Sequence, residues 1–389
     1  MGGDCIRLTT DRTSGTISPW PWRSEEMEMN IKALSVSRFK CLLKLDLPSL
    51  SRIVLLGGPN GVGKSSVLEA IFLFFDRYNP EMLLRQFGWR GIPSVGLEPA
   101  EMFAPFFFDF DLSRDIVLTL EAGKHREKVT ISYVPHVPNG QIPAGASMQK
   151  GQTPFLRTDA RAVTPFALRF KYQENRGDVV VSHLVAAQDS LVLKSDKPHQ
   201  EPRRANIIFA GHAGHFGVDA QRYGALDKMG HAADVVAFMQ RFFPQLRGLS
   251  LIPGMDQKPV LYADVGLARK VPVGWAGEGL SRLLSIYLAM ADARDGVVLV
   301  DEIGSGIHYS ALPKVWRGVA EAAEKYRCQV FATTHSYECI QAAKEGLEGL
   351  LEPDFMYILL DMTEKGILPK CYPYDVLGAA LAARLEIRG

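Results

Sequence analysis

The chain is most constrained by the run Leu55-Leu56-Gly57-Gly58-Pro59-Asn60-Gly61-Val62-Gly63-Lys64-Ser65-Ser66, which reads G-x-x-x-x-G-K-S from Gly58 to Ser65. Ile53 to Leu56 is an apolar run of β type, and Val67, Leu68, Ile71, Phe72 and Phe75 then recur at helical spacing. Strand, glycine loop and helix in that order form the setting a phosphate-binding loop requires. The glycines let successive backbone N–H groups turn inward around phosphate oxygens, and the helix aims its positive end at the same anion. Asn60, Gly61, Gly63 and Ser66 are expected along the phosphates, with Lys64 on the terminal ones and the Ser65 hydroxyl on Mg²⁺. A chance glycine-rich turn is the competing reading, and the correct flanks on both sides weigh against it.

At 389 residues, 47 % apolar and 22 % charged, the chain has ample material for one large or two modest domains. Lys and Arg number 44 against 43 acids, so no overall charge argues for nucleic acid or a membrane surface. The five cysteines are scattered and form no C-x-x-C pair, which fits a reducing cytoplasm better than a disulfide or zinc framework. No apolar run approaches the ~20 residues of a membrane helix.

Residues 1–28, rich in Ser, Thr, Gly and Pro, read as a disordered leader ahead of a start near Met27 or Met29. Strands are expected around Ile31 to Phe39 and Leu43 to Leu47, ahead of the phosphate-loop strand. The domain reading is 29–115 for a first lobe, 116–204 for a β-rich inserted arm with a mobile loop at 135–165, and 205–389 for a second lobe. Within the arm, Asp115 to Leu120 and Glu127 to Val134 alternate as a hairpin, and Phe166 to Tyr172 and Val179 to Leu184 as two further strands. His212 and His215 stand three apart without a Cys or a carboxylate set to complete a metal site, so a solvated loop is the simpler reading.

The second half carries three more features. Gly277-Glu278-Gly279-Leu280-Ser281-Arg282 is a glycine turn feeding a helix. Val297 to Val300 is an apolar strand ending in Asp301-Glu302, the form of a Walker B strand. It would place Asp301 on Mg²⁺ through water and Glu302 on the attacking water. Alone, four apolar residues and two acids are common in cores. Here Gln329 to Thr334 forms another buried-type strand ending in His335, 34 residues after Asp301, which suits one strand-helix-strand crossover. Both strand tips then reach the same sheet edge, and His335 is a candidate sensor of the terminal phosphate.

Taken together, Arg38-Phe39-Lys40, Gly58 to Ser65, Gly277-x-Gly279-x-x-Arg282, Asp301-Glu302 and Thr333-Thr334-His335-Ser336 resemble the ABC-type ATPases of the OLD/AAA15-like group, relatives of the SMC and RecF heads. The resemblance covers about 29–115 and 200–345. It implies an α/β P-loop NTPase with an ABC-type head, a mixed central sheet flanked by helices and a β-rich insert. It also implies ATP and Mg²⁺ as cofactors and a homodimer that sandwiches ATP, with higher oligomers left open. In such a dimer the turn Gly277 to Gly279 of one head meets the γ-phosphate held by Lys64 of the other, and Ser305 to His308 take the dimer-contacting position. Arg38, Lys40 and Arg282 are carried over as nucleotide contacts. Gln86 is the candidate for the residue that senses Mg²⁺ and water, with Gln188 as its rival. The transporter signature L-S-G-G-Q is altered, with Ala276 in place of its serine and Glu278 in place of a glycine, which argues against a transporter subunit.

Two functions follow from the resemblance. One is a regulatory ATPase of antiviral defence that controls a separate effector, a nuclease for preference, since only about 45 residues follow the His335 helix. The other is a clamp that binds duplex DNA in repair or chromosome maintenance, which predicts strongly salt-dependent binding.

Overall fold

Strands buried on both faces need no alternation of polar and apolar residues, and three runs of this chain meet that condition. Ile53–Gly57, Val297–Val300 and Gln329–Thr333 are buried at every position, and they lie side by side, all parallel, in one sheet. The computed structural model describes residues 30–75, 81–92, 95–96, 98–137, 147–148, 156–157, 165–175, 177–187, 190–195, 205–209, 216–254, 257–350, 354–364 and 366–387. The leader at 1–28, most of the stretch 135–165, Gln188 and the pair His212 and His215 lie outside the described residues.

In chain order the first lobe comprises β1 (Ile31–Phe39), β2 (Leu42–Leu47), β3 (Ile53–Gly57), α1 (Lys64–Phe75), α2 (Glu81–Trp89), β4 (Val95–Gly96) and α3 (Pro99–Met102). There follow β5 (Ile116–Ala122), β6 (His125–Val134), β7 (Ser147–Met148), β8 (Leu156–Arg157), β9 (Phe166–Glu174), β10 (Val179–Ala187) and β11 (Ser190–Ser195). The remainder is β12 (Ala205–Ile208), α4 (Phe216–Lys228), α5 (Ala232–Gln240), β13 (Gly248–Pro253), β14 (Pro259–Asp264), β15 (Val271–Pro272) and α6 (Glu278–Asp292). Then come β16 (Val297–Val300), α7 (Leu312–Lys325), β17 (Gln329–Thr333), α8 (Tyr337–Gly346), β18 (Phe355–Thr363), β19 (Gly366–Pro373) and α9 (Tyr374–Ala382).

The central sheet has the order β12-β16-β17-β3-β18-β19. Its first five strands are parallel and β19 closes the edge antiparallel, so the sheet is mixed. Alternate residues of each strand enter opposite cores, as a two-residue period requires. Val54, Leu56, Val297, Leu299 and Phe331 pack into one core with α1 and the antiparallel sheet. Ile53, Leu55, Val298, Val300, Val330 and Ala332 pack into the other, under α6, α7 and α8. Helix α1 is therefore a filling between two sheets, which explains why it is apolar almost all round.

The strands expected as a separate arm continue a sheet begun in the first lobe. The eight-stranded sheet runs β2-β1-β5-β6-β9-β10-β11-β7, and β5 pairs antiparallel with β1 through Leu34↔Leu120 and Val36↔Leu118. The division at residue 115 thus falls between hydrogen-bonded neighbours. The β18 strand sits beside β3, and its Asp361 pairs with Lys370 at 2.6 Å across the edge hairpin. Among the described residues no helix is long and apolar enough to cross a membrane.

Candidate active site

Three parallel neighbours, β16, β17 and β3, end at one rim of the central sheet, the place where α/β sheets bind ligands. The loop after β3 turns through Gly58 at φ 133°, where a Cβ would lie 2.5 Å from the Leu360 carbonyl oxygen, so no other residue fits there. Lys64 opens α1 and is 6 % exposed. Its Nζ donates to the carbonyls of Gly58 (2.8 Å) and Pro59 (3.1 Å), curling back over the loop. Burial lowers its pKa, and Glu302 and Asp301 oppose that shift. A desolvated ammonium at the mouth of a ring of glycines is a site for an anion.

Ser65 Oγ donates to Asp301 Oδ1 at 2.9 Å, across 236 residues of sequence. Thr333 Oγ1 donates to the same oxygen at 2.7 Å and accepts the Glu302 N–H at 2.8 Å. His335 Nδ1 meets Glu302 Oε2 at 2.9 Å. Ser65, Asp301, Glu302 and His335 are thus drawn into one hydrogen-bonded chain with Thr333 as its hub. Thr333 was seen in the sequence only as part of a motif. A threonine is an ordinary β-former, and its one distinguishing mark was to end an otherwise apolar strand.

Glu302 has φ 49°, in the left-handed region, at an order of 1 kcal/mol for a residue with a Cβ. Its backbone is held there at both ends, by Thr333 at the N–H and by Arg282 at the carbonyl (3.3 Å).

The remaining sequence candidates fall elsewhere. Arg282 is not turned toward the phosphate loop. It donates to the main-chain oxygens of Phe209 (3.0 Å), Asp301 and Glu302. Lys40 pairs with Glu69, which is 0 % exposed, at 2.6 Å, and lies over the rings of Phe39 and Phe106. Arg38, with φ 60°, is the next-to-last residue of β1 and faces the Asp111 charge. Gln86 is sealed on α2 at 1 % exposure, and among the described residues neither of its amide atoms has a hydrogen-bond partner, Ser65 and Asp301 included. Gly277 is exposed at the head of α6 with φ 117°, and a Cβ there would meet nothing within 4 Å. Gly279 instead abuts the chain's own Gly306, whose carbonyl oxygen would be 3.1 Å from an added Cβ. The Gly277–Gly279 turn therefore faces solvent, with Ser305 to His308 beside it.

The oxygen set Ser65 Oγ and Asp301 carboxylate suits Mg²⁺, which takes one or two protein ligands and fills the rest with water and phosphate oxygens. Among the described residues no group of three His, Cys, Asp or Glu converges on a metal position. What this rim and fold define is a P-loop NTPase fold of mixed α/β architecture. Residues 177–340, which carry the Gly277 turn, Asp301, Glu302 and His335, match a family model described as "AAA domain, putative AbiEii toxin, Type IV TA system". The chain belongs to the family of MJECL11, an uncharacterised protein of Methanocaldococcus jannaschii, being 35 % identical to it over 80 residues, 19 % of this chain and 70 % of that protein.

An ATP/GTP phosphatase of Helicobacter pylori is 26 % identical over 113 residues, 27 % of this chain and 30 % of that protein, so the chain spans less than a third of that relative. Among solved structures, an SMC head bound to the C-terminal winged-helix domain of ScpA is 12 % identical with a TM-score of 0.49, covering 89 % of this chain and 98 % of that one. An SMC head with an extended coiled coil, bound to the C-terminal domain of ScpA derived from Pyrococcus furiosus, is 10 % identical with a TM-score of 0.46, covering 91 % and 99 %.

Proposed function

We propose that this chain is a Mg²⁺-dependent ATPase whose catalytic pocket is completed by a second copy across bound ATP, and that the resulting dimer controls a separate effector protein. The observation that carries this reading is the one-sidedness of the site. Lys64, Ser65, Asp301, Glu302 and His335 gather at one rim, while the Gly277–Gly279 turn stands exposed at the head of α6, packed on its own Gly306. A solvent-facing glycine turn at a helix N-terminus is a ready anion site for a neighbour's nucleotide.

In this reading the loop from Gly58 to Ser66 holds the phosphates, and Lys64 leaves its two carbonyl partners for the terminal ones. Ser65 Oγ and Asp301 would hold Mg²⁺, which neutralises charge developing on the phosphate oxygens. Thr333 keeps the Asp301 carboxylate rotated toward Ser65. Glu302 accepts the proton of the attacking water, and His335 orients that carboxylate through Oε2. The effector is proposed to be a nuclease of antiviral defence. Support for a toxin-type effector comes from the wording of the matched family.

The test is Glu302→Gln. ATP binding is expected to persist while turnover falls by ~10³-fold or more, leaving the ATP-bound dimer to accumulate. Sedimentation with saturating Mg·ATP should then give twice the monomer mass. A monomer under those conditions, or wild-type turnover, overturns the reading.

A further inference from the structure

The role of Arg282 follows from where its donors go. Nη1 reaches the Phe209 oxygen at 3.0 Å, and Nη2 reaches the oxygens of Asp301 and Glu302. Phe209 directly follows β12, and Asp301 and Glu302 follow β16, so one guanidinium spans the ends of two neighbouring strands. Among the described residues its Nε has no hydrogen-bond partner, and the hydrogen bonds of the head group go to these carbonyls. Glu302 is the residue with left-handed φ, and nothing intrinsic to a glutamate favours that conformation. Its N–H is held by Thr333 on β17, and its carbonyl is shared by Arg282 on α6 and the local Ser305 N–H (3.0 Å), so Arg282 is its one carbonyl contact from a neighbouring element among the described residues.

Helix α6 is anchored independently of this contact. Ser285 Oγ donates to the carboxylate of Asp219 on α4, which is buried and also pairs with Arg222. The N-terminal end of α6 is the Gly277 turn, and five residues of helix, about 7–8 Å, separate it from Arg282. Gly306 locks against this end, since a Cβ on Gly306 would run into the Glu278 side chain. A load on the turn is therefore delivered to Arg282 by a short rigid segment.

We propose that Arg282 is a positioning residue: it transmits docking of the Gly277–Gly279 turn on a partner's nucleotide to the backbone of Glu302 in its own chain. Each subunit then aligns its base only when its turn is engaged, which ties the two pockets of the dimer together. This rests on the dimeric reading above and adds a direction to it, since the signal runs from the turn to the base within one polypeptide.

The experiment compares wild type, Arg282→Gln and Arg282→Lys in the full chain. Mg·ATP affinity is read with a fluorescent ATP analogue, and turnover is read against ATP concentration. Wild type is expected to show a Hill coefficient above one. Arg282→Gln should bind ATP within about threefold of wild type, lose ~10–100-fold in kcat and fall to a Hill coefficient of one. Arg282→Lys, which keeps a single donor head, should recover part of kcat. If Arg282→Gln does not fold, the same readouts on Arg282→Lys decide. Unchanged kcat and cooperativity in the variants, a Hill coefficient of one in wild type, or loss of ATP binding as deep as in Lys64→Ala would overturn the proposal. A wild type that neither hydrolyses ATP nor dimerises would instead sink the dimeric ATPase itself.

Discussion

At the residue scale the site turns on small polar groups that hold larger ones in place. Thr333 Oγ1 touches Asp301 and the Glu302 N–H, so one methyl-for-hydroxyl exchange would loosen both the proposed metal carboxylate and the proposed base. Thr333→Val is near-isosteric and leaves the buried Glu302 N–H unpaired. It is expected to lower kcat by ~10–100-fold and to raise the Mg²⁺ concentration needed for half-maximal turnover, while Thr333→Ser stays close to wild type. Steady-state rates across a Mg²⁺ titration check this, and a valine variant with an unchanged Mg²⁺ requirement would remove Thr333 from the site. Lys40 offers a pH prediction. Burial outweighs the attraction of Glu69 and lowers its pKa from 10.5 to about 8, and Arg90 and Cys41 also face it. A lysine with a depressed folded pKa binds fewer protons folded than unfolded between those values. Its contribution to stability therefore grows as pH rises from about 8 toward 10.5 and is lost as pH falls through 8. Arg90 keeps Glu69 paired at 2.9 Å when Lys40 is neutral. Denaturant midpoints should give wild type about 2 kcal/mol more stabilisation between pH 8 and pH 10 than Lys40→Met. Equal pH slopes for the two would refute the shift.

At the element scale, what the sequence disclosed follows from periodicity. β3, β16 and β17 stood out as apolar runs because strands covered on both faces leave no polar register, and a 34-residue spacing admits one crossover. Pairing between distant strands leaves no such trace. The period of Ile116 to Ala122 is the same whether it begins a free arm or completes a sheet with β1, so the boundary at 115 was drawn through a sheet. Arg282 had the right spacing for a nucleotide contact, but spacing cannot say that its head turns inward to three carbonyls. The two sheets are joined by another side chain that the pattern conceals. Gln329, 2 % exposed at the start of β17, donates to the oxygens of Ile31 (2.9 Å) and Ser51 (2.8 Å) and accepts the Ile31 N–H at 2.7 Å. Gln329→Leu would strand these main-chain groups in the core, at about 3 kcal/mol in sum. Urea unfolding should show that loss with ATP affinity preserved, because β17 reaches the active rim only at its other end.

At the scale of the whole molecule, the proposed dimer rests on a separation: a single chain presents Lys64 at one place and an exposed Gly277 turn at another, and a two-fold axis would bring each against its complement twice. In the proposed dimer the near balance of 44 basic and 43 acidic residues leaves the nucleotide, rather than long-range charge, to bring the halves together. This arrangement makes a prediction that no site complete within one chain can meet. Lys64→Ala leaves the turn intact but cannot hold ATP, and Gly277→Asp holds ATP but sets a carboxylate against the partner's phosphates. Each variant alone should be inactive. When they are mixed in equal amounts, about half of the dimers pair one chain of each kind, and each such dimer has one intact pocket of two. Independent pockets would regain about a quarter of wild-type turnover per chain; the base of the intact pocket sits on the Gly277→Asp chain, whose own turn meets no nucleotide, so the Arg282 coupling holds turnover of the mixture below that quarter while ATP-dependent mixed dimers still form. An equal mixture that forms no ATP-dependent mixed dimer in sedimentation would show that Lys64 and the Gly277 turn serve no common pocket.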